Sequence, residues 1–402
     1  MEPDRATGLA ELAAAITRAR VRGLDDVFLE RRIEAAWRLD GGRVVAREVS
    51  LSEGAAVRRD GVLVSGDGLD RPVLAGLLGI ADRSLPAFSP PRFAPPPSLE
   101  ETLDVLPADW SGVRWRWSWA AVLAGGTAVA VARPQLAEVT SADGQRALFS
   151  WPPDRGLRFG GSEDAARASL QGGRIRALLS PAAATVLLHE LFGHPLEGDI
   201  LLRRGSPWCG RFGERIVPIP LSVRDDPTRG DLPGGFSADD EGVAGAARPL
   251  LVDGVLAGAL ADRRTALGLG VAPGNARRAS VHEPPRPRIS NLVATAREPL
   301  AQPPREDASV EVVALVSGTL EPASRRVLLR VRRAFSLRRG ARRQMLAPFT
   351  LAGTVDALTG GLLAAAEPAA SSAEPGWCAK DGEVVATGGA APWLLLEGLE
   401  VR

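Results

Sequence analysis

The spacing of hydrophobic and polar positions along the chain changes several times, and it predicts few helices and many strands. Near the start, apolar residues recur at helical spacing, which predicts an amphipathic helix over the first twenty residues. Short β-prone runs then extend from residue 26 to residue 68 and are punctuated by three Asp-Gly pairs, which are typical of hairpin turns. A second helix is predicted over residues 72–78.

Farther along, strand-like patterns dominate. Residues 85–98 carry six prolines and almost no periodicity, which indicates a linker. Residues 113–119 alternate tryptophan or valine with polar residues, so they predict a strand whose aromatic face either packs on a core or forms a groove for apolar peptide side chains. A helix is predicted over residues 178–197 and another over 354–366. Strands are predicted over 216–223, 249–260, 310–316, 326–337 and 394–401. The order predicts an α+β fold with antiparallel sheets.

Composition and charge narrow the classes of function. The chain has 49 basic and 48 acidic residues, so no overall field attracts it to nucleic acid. Its arginine-rich stretch, residues 325–343, is interpreted as a strand pair with one solvated face. The longest apolar run, residues 117–132, is shorter than the ~20 residues of a membrane span, and the start of the chain lacks the order of a signal peptide. We therefore expect a soluble protein, and two cysteines without a disulfide framework suit a reducing cytoplasm.

Two of the three histidines fall in one short run, H-E-L-F-G-H, from His189 to His194. Neutral imidazoles are common ligands of catalytic zinc, and a neighbouring carboxylate such as Glu190 is the usual base for the metal-bound water. The five-residue gap would set the two rings about 140° apart on an ideal α-helix. Because Gly193 and Pro195 disfavour a regular helix, His194 is expected at or just past the helix end, free to turn back toward His189. Two histidines that only pack or cap a helix remain the alternative.

Extended to H-E-L-F-G-H-P-L-E-G-D, this motif resembles that of the TldD/PmbA family, in particular its metal-bearing TldD branch. The segments 239–243, 250–258, 274–278, 287–291 and 351–354 are similar to family segments in the same order. The stretch 376–382, G-W-C-A-K-D-G, resembles the family's terminal G-x-C-G-K-x-G-Q segment. Ala379 and Glu383 depart from the glycine and glutamine usual there, which leaves local geometry and substrate contacts open.

The pattern of elements predicts an N-terminal helix and antiparallel-sheet domain over residues 1–172, with the proline-rich linker at about 85–98 inside it. The resemblance covers residues 173–402, and over the first 100 residues it extends only to a similar pattern of helices and hairpins. It implies a β-rich metallopeptidase-like domain over 173–402 that carries the H-E-x-x-x-H helix. It implies that His189, His194 and Cys378 bind Zn²⁺ while Glu190 acts as general base. It also implies a peptide substrate, unstructured or small, and a homodimer or a heterodimer with a related family member. The alternative is a catalytically silent PmbA-like subunit that pairs with an active protease.

Several further residues have two interpretations. For Glu197 and Asp199 there are two interpretations: each carboxylate orients a ligand imidazole, or it caps the turn that follows His194. Lys380, the only lysine of the chain, holds the thiolate, meets a substrate carboxylate or lies in solvent. A loop position is favoured for His282 over the cleft, and a structural role for the Cys209 thiol. The acidic run 239–241 lacks the spacing of a calcium loop and is expected to form a tight turn that closes a hairpin.

Overall fold

The computed structural model describes residues 3–40, 43–85, 110–141, 146–151, 167–367 and 376–402. The expected linker, apart from Leu85, lies outside these residues. The N-terminal region contains two helices, α1 (Pro3–Arg18) and α2 (Arg71–Leu78). Its strands are β1 (Leu24–Asp40), β2 (Arg43–Arg59), β3 (Val62–Asp67), β4 (Trp110–Ala124), β5 (Thr127–Val131), β6 (Gln135–Ser141) and β7 (Arg146–Trp151).

These strands form one antiparallel sheet in the order β3-β2-β1-β4-β6-β7, with β5 also paired to β4. Helices α1 and α2 cover one end of one face and bury an apolar cluster there. The β2–β3 turn holds Asp60 at φ 46° and Gly61 at φ 76°, which is the turn chemistry that its Asp-Gly pair predicts. At Asp67-Gly68 the hairpin prediction is wrong, because β3 ends there and α2 follows, capped by the Asp70 side chain.

The aromatic face of β4 packs on a core. Trp115 and Trp117 are almost fully buried. Trp115 also meets Trp37 of β1 edge to face, with ring centroids 4.9 Å apart. The described residues therefore favour core packing over a groove for peptide side chains at this face.

The C-terminal region is built mostly from strands. Its helices are α3 (Pro181–Leu188), α4 (Gly198–Leu202), α5 (Arg263–Leu269) and α6 (Val355–Gly360). Its strands are β8 (Gly173–Leu179), β9 (Leu221–Asp225), β10 (Arg248–Val252), β11 (Val255–Leu256), β12 (Ala276–Arg277), β13 (Arg286–Pro287), β14 (Asn291–Ala296), β15 (Val310–Glu321), β16 (Arg326–Arg338), β17 (Ala341–Met345), β18 (Phe349–Thr354), β19 (Leu362–Ala366), β20 (Gly376–Lys380), β21 (Glu383–Ala390) and β22 (Trp393–Val401).

Two sheets and a shared core organise these elements. One sheet has the order β15-β8-β22-β18-β16-β17, and a further β15–β16 pairing closes it on itself, while β19 pairs with β22. The other has the order β11-β10-β9-β14-β21-β20, with β14 and β21 parallel. Strands β12 and β13 form a separate pair. The large apolar core lies between the two sheets and includes the buried face of α3. The predicted α+β, strand-rich fold is confirmed. The prediction of antiparallel sheets is wrong at two pairings, β8–β15 and β14–β21, which are parallel.

Several predicted elements differ in extent. The strand predicted over 249–260 is the pair β10 and β11, and β15 continues past residue 316 to Glu321. Three further differences have a local cause. Residues 178 and 179 belong to β8, and the α-helix begins only at Pro181, after the Ser180 cap. Residues 216–220 are not in the strand, since Pro218 and Pro220 supply no backbone donors, so β9 starts at Leu221. The predicted helix over 354–366 ends at Gly360, and its second half is β19. Among the described helices, none combines the length and apolar character that crossing a bilayer requires.

The N-terminal sheet packs on the C-terminal region through an apolar cluster and a buried charge cluster. Phe28, Ala56 and Val122 meet Phe236 and Val281. Close by, the acidic run 239–241 makes the expected tight turn, with Gly242 at φ 77° and a bridge between residues 238 and 244. All three of its carboxylates are buried. The division at residue 172 stays a prediction.

Candidate metal centre

The histidine motif lies where the helix changes its winding. The Ser180 hydroxyl caps α3 by accepting a hydrogen bond from the Ala183 N–H at 3.2 Å. After Leu188 the backbone continues as a π-helical turn over His189–Gly193, and the His194 N–H donates to the His189 carbonyl five residues back. The wider turn brings two side chains five positions apart onto one side, which an α-helix would not do. The ring centroids of His189 and His194 are 4.8 Å apart.

Buried neighbours support this turn. Pro195 has no N–H, so it cannot donate to the Leu191 carbonyl as an α-helical residue would. The indole Nε1–H of Trp208 donates to that carbonyl instead, at 2.7 Å. The fully buried Trp208 ring also stacks on Phe192, with centroids 5.9 Å apart. The buried carbonyl that the wide turn leaves without this helical donor is therefore satisfied from another segment.

Cys378 on β20 joins the two histidines, although it lies 184 residues beyond His194. The His189 and His194 Nε2 atoms are 3.3 Å apart, and the Cys378 Sγ is 3.3 Å from the His194 Nε2. One ligand atom from each of the three residues lies within 4.8 Å of the others. Typical bond lengths to tetrahedral zinc put two nitrogen ligands about 3.3 Å apart, and a nitrogen and a sulfur about 3.6 Å apart. The donor set and its spacing therefore fit a small tetrahedral ion such as zinc.

Charge within the group favours a thiolate beside an imidazolium. Burial acts to raise the pKa of the Cys378 thiol, but the neighbouring His189 and His194 outweigh it and hold that pKa well below its usual range. Burial likewise acts to lower the pKa of His194. Glu197 and Cys378 outweigh that effect and hold this pKa well above its usual value. The thiolate is the form of cysteine that binds metals, so Cys378 is held in the metal-binding form.

Glu197 and Lys380 form the second layer of the site. The Glu197 Oε1 lies 3.3 Å from the His194 Nδ1, which leaves the Nε2 atom directed at the other donors. The other carboxylate oxygen, Oε2, is 2.7 Å from the Lys380 Nζ. Burial acts to raise the pKa of the fully buried Glu197, but His194, Lys380 and Arg288 lower it to about 2. These contacts favour the first of its two predicted interpretations, in which Glu197 orients the His194 imidazole, and its side chain makes no cap hydrogen bond to α4.

Lys380 and Asp199 contact each other in the same second layer of residues around the three donors. The Lys380 Nζ donates to the Asp199 Oδ1 at 2.7 Å, and Asp199 also accepts a hydrogen bond from Arg203 at 3.1 Å. The side chain of Lys380 is only 7% exposed, so it is not in solvent. Its contacts are with the two carboxylates rather than with the Cys378 thiolate.

Arg288 is a site residue that the sequence did not reveal. It is fully buried, its Nη2 donates to the Cys378 carbonyl, and its Nε lies 3.9 Å from the Glu197 Oε1. The only signal is its place in the family-like segment 287–291. Among 49 basic residues, nothing in the local pattern distinguishes it.

Glu190 is buried next to the group without belonging to the three donors. It follows His189 in the π-helical turn, and its side chain packs against Gly318 of β15. An added Cβ at Gly318 would lie 2.6 Å from the Glu190 Cγ, so the bare glycine makes room for this carboxylate.

The other candidate residues lie elsewhere. His282 contacts Ser65 at 3.1 Å and Asp67 at 3.2 Å on the N-terminal sheet, outside the donor group. The Cys209 Sγ donates to the Leu201 carbonyl at 3.5 Å. Of the two departures from the family pattern, Ala379 is exposed, and Glu383 is buried with an ion pair to Arg286 at 3.0 Å.

Comparisons with known proteins bear on this site. A family profile described as the PmbA/TldA metallopeptidase C-terminal domain matches residues 172–402. The chain is 28% identical over 227 residues to a metalloprotease of Archaeoglobus fulgidus, which is 56% of this chain and 52% of that protein. It is 35% identical over 155 residues to the metalloprotease TldD homolog of Haemophilus influenzae, which is 38% of this chain and 31% of that protein. The chain thus spans about half, or less, of these relatives' length.

A solved structure extends the likeness to the whole fold. The crystal structure of TldE from Thermococcus kodakarensis superposes with a TM-score of 0.63 at 15% identity, and covers 94% of this chain and 96% of that one. Identity at this level shows the fold alone.

Proposed function

The chain belongs to the PmbA/TldD metallopeptidase family, and from this premise we propose that it is a zinc-dependent peptidase that hydrolyses unstructured or small peptides. The observation that carries the proposal is the convergence of His189, His194 and Cys378 from two distant segments. Three protein ligands leave a fourth zinc position open, which is the arrangement of catalytic rather than structural sites.

In the proposed mechanism His189, His194 and Cys378 would hold the metal. A zinc ion held there would polarise the scissile carbonyl and lower the pKa of a water molecule. Glu190 takes the proton from the attacking water and passes it to the leaving amine. Glu197 accepts the Nδ1–H of His194 and keeps that ring in the tautomer that binds metal.

The place of β20 in its sheet supports a peptide substrate. β20 carries Cys378 and is the terminal strand of its sheet within the described part of the chain. A peptide that pairs with such an edge is held through backbone hydrogen bonds, which read an extended shape rather than a sequence. We therefore expect loose specificity for unfolded peptides. We also expect a partner of the same family, a second copy or a related chain, and a cytoplasmic location.

The silent-subunit alternative has less support. A chain that only shapes a partner's channel needs no thiolate beside two imidazoles, yet this group is present with a buried carboxylate that orients one ring. No described feature favours the alternative.

Metal content and peptide cleavage test the proposal together. Elemental analysis of the purified chain is expected to give about one zinc, which is lost in His189→Ala and Cys378→Ala and retained in the matched control Cys209→Ala. Glu190→Gln is expected to keep the zinc and lose cleavage of an unfolded peptide. Unchanged turnover in Glu190→Gln would refute the mechanism. A wild-type chain without zinc would refute the peptidase.

A further inference from the structure

Lys380 is the only lysine among the 49 basic residues of the chain. It ends β20, two residues after Cys378. Its ammonium lies 2.7 Å from the Glu197 Oε2 and 2.7 Å from the Asp199 Oδ1, and it donates to the Pro287 carbonyl at 3.4 Å. Three acceptors thus surround one nitrogen that has three N–H donors.

These contacts close a ring through the metal centre. Glu197 forms an ion pair with Lys380 through one oxygen and lies 3.3 Å from the His194 Nδ1 with the other. The opposite nitrogen of His194 is 3.3 Å from the sulfur of Cys378, which shares β20 with Lys380. The strand that carries the sulfur ligand is therefore tied, through one ammonium and one carboxylate, to the imidazole that binds beside it.

We propose that Lys380 is a positioning residue of the metal centre, which fixes the His194 ring against Cys378 before metal arrives. The inference rests on the proposed function, in that the centre is taken to hold zinc. Outer partners of metal-binding imidazoles typically change metal affinity by about 10- to 100-fold when they are removed. Lys380 holds such a partner, the Glu197 carboxylate, and touches no ligand atom itself.

The composition of the chain indicates that the site requires lysine rather than any cation. Arginine serves the comparable contact beside it, where Arg286 pairs with Asp381 at 3.0 Å and with Glu383 at 3.0 Å. A guanidinium spreads its N–H groups over a planar fork, whereas an ammonium directs three donors from one point. The acceptors of Lys380 lie around one buried nitrogen, so an arginine there would displace Glu197 or Asp199.

A simple stabilising ion pair is the competing explanation, and metal affinity separates the two. The variants are Lys380→Arg, which keeps the charge, and Lys380→Met, which removes it. Arg286→Lys is the matched control, on β13, where the arginine pairs with Asp381 and Glu383. Three quantities are measured for each variant. Zinc affinity comes from competition with a chelator, and ligand geometry from the visible spectrum of the Co²⁺-substituted protein. The melting temperature is measured on the metal-free chain.

Both Lys380 variants are expected to bind zinc at least ~10-fold more weakly. Their Co²⁺ bands, which report ligand geometry, are expected to shift at saturating metal, while Arg286→Lys stays within about twofold of wild type. If the variants fail to fold, the charge-balanced double variant Lys380→Met/Glu197→Gln is measured against Glu197→Gln alone. Both are expected to bind zinc at least ~10-fold more weakly and to the same extent, because Lys380 acts through Glu197.

Three outcomes overturn the inference. Wild-type zinc affinity and Co²⁺ spectrum in Lys380→Arg, or in the double variant, would show that the ammonium positions nothing. A lower melting temperature with unchanged zinc affinity would make the pair a stabiliser of the fold alone. A wild-type chain that binds no zinc would overturn the proposed function as well, and that result is distinct from the other two.

Discussion

The replacement of Gly318 by alanine tests the role of Glu190 without touching a proposed ligand. Gly318 lies on β15 directly against the side chain of Glu190. An added Cβ would lie 2.6 Å from the Cγ and 3.1 Å from the Oε1 of Glu190, and 3.1 Å from the Cγ1 of Val186. These are its three nearest atoms, so none of the three proposed zinc ligands is among them.

The size of the expected effect follows from these distances. Carbon atoms in contact are about 3.5–4.0 Å apart, so the Cγ of Glu190 must move away by about 1 Å. A misplacement of about 1 Å at a reacting group costs roughly 100-fold in rate. Gly318→Ala is therefore expected to lower kcat by about two orders of magnitude while zinc stays bound.

The assay is the hydrolysis of an unfolded fluorogenic peptide, with zinc content and melting temperature measured on the same sample. Gly66→Ala is the matched control, because a Cβ at this glycine of β3 would make only ordinary contacts, the nearest with the Val73 Cγ1 at 3.6 Å. A kcat within about threefold of wild type in a folded, zinc-loaded Gly318→Ala protein would refute the assignment of Glu190 as the base. A parallel loss of zinc would refute the reasoning from distances.

Three further changes probe the support of the site. Trp208→Phe removes the donor to the buried Leu191 carbonyl and is expected to destabilise the chain by about 1–3 kcal/mol in urea unfolding; unaltered stability would show that the carbonyl finds another donor. Gly193→Ala brings a Cβ within 2.4 Å of the Ile289 Cδ1, so the π-helical turn is expected to shift and zinc affinity to fall, whereas wild-type affinity would mean that Ile289 simply yields. In the metal-free protein, the pKa of Glu197 is about 2 in place of 4.5. The ionised Glu197 carboxylate therefore adds to the free energy of unfolding above pH 4.5, and this contribution is lost as the pH falls toward 2. Urea unfolding of Glu197→Gln is expected to lose this acid dependence, and an unchanged profile would contradict it.

Local signals explain which parts of the fold could be predicted. The periodicity of the first twenty residues and the Asp-Gly turn at residue 60 are decided by near neighbours, and the structure agrees with both. The stretch 362–366 is different, because its residues are apolar in any register and would suit a helix or a strand. Gly360 and Gly361 end the helix, and pairing with β22, about thirty residues on, makes the stretch a strand. Such a choice is made by tertiary contacts that no local window contains.

In the candidate site, too, local sequence predicted some features and tertiary contacts decided the others. His189, Glu190 and His194 could be singled out because they are neighbours in sequence, and Cys378 only because its context resembles a family segment. The five-residue gap alone left the geometry open. The structure adds that the turn widens by one residue where Pro195 removes a donor, and that Trp208 supplies the replacement. That compensation depends on a residue 17 positions from the acceptor, so no spacing rule around the motif could have contained it.

Burial of charge explains why the second layer has to be complete. Glu197, Asp199, Lys380 and Arg288 bring two negative and two positive groups to one buried place. Removal of one partner from such a cluster leaves an uncompensated charge away from water, which costs more than the pair contributes. The thiolate of Cys378 is also a buried charge that needs a partner of opposite sign. In the metal-free chain the imidazolium of His194 balances that negative charge. A bound zinc ion would replace that proton and take over the charge balance, while Glu197 and Lys380 keep the ring where it was. A metal bound at the proposed site would therefore replace a proton without rearrangement of the turn and the strand that carry the three donors.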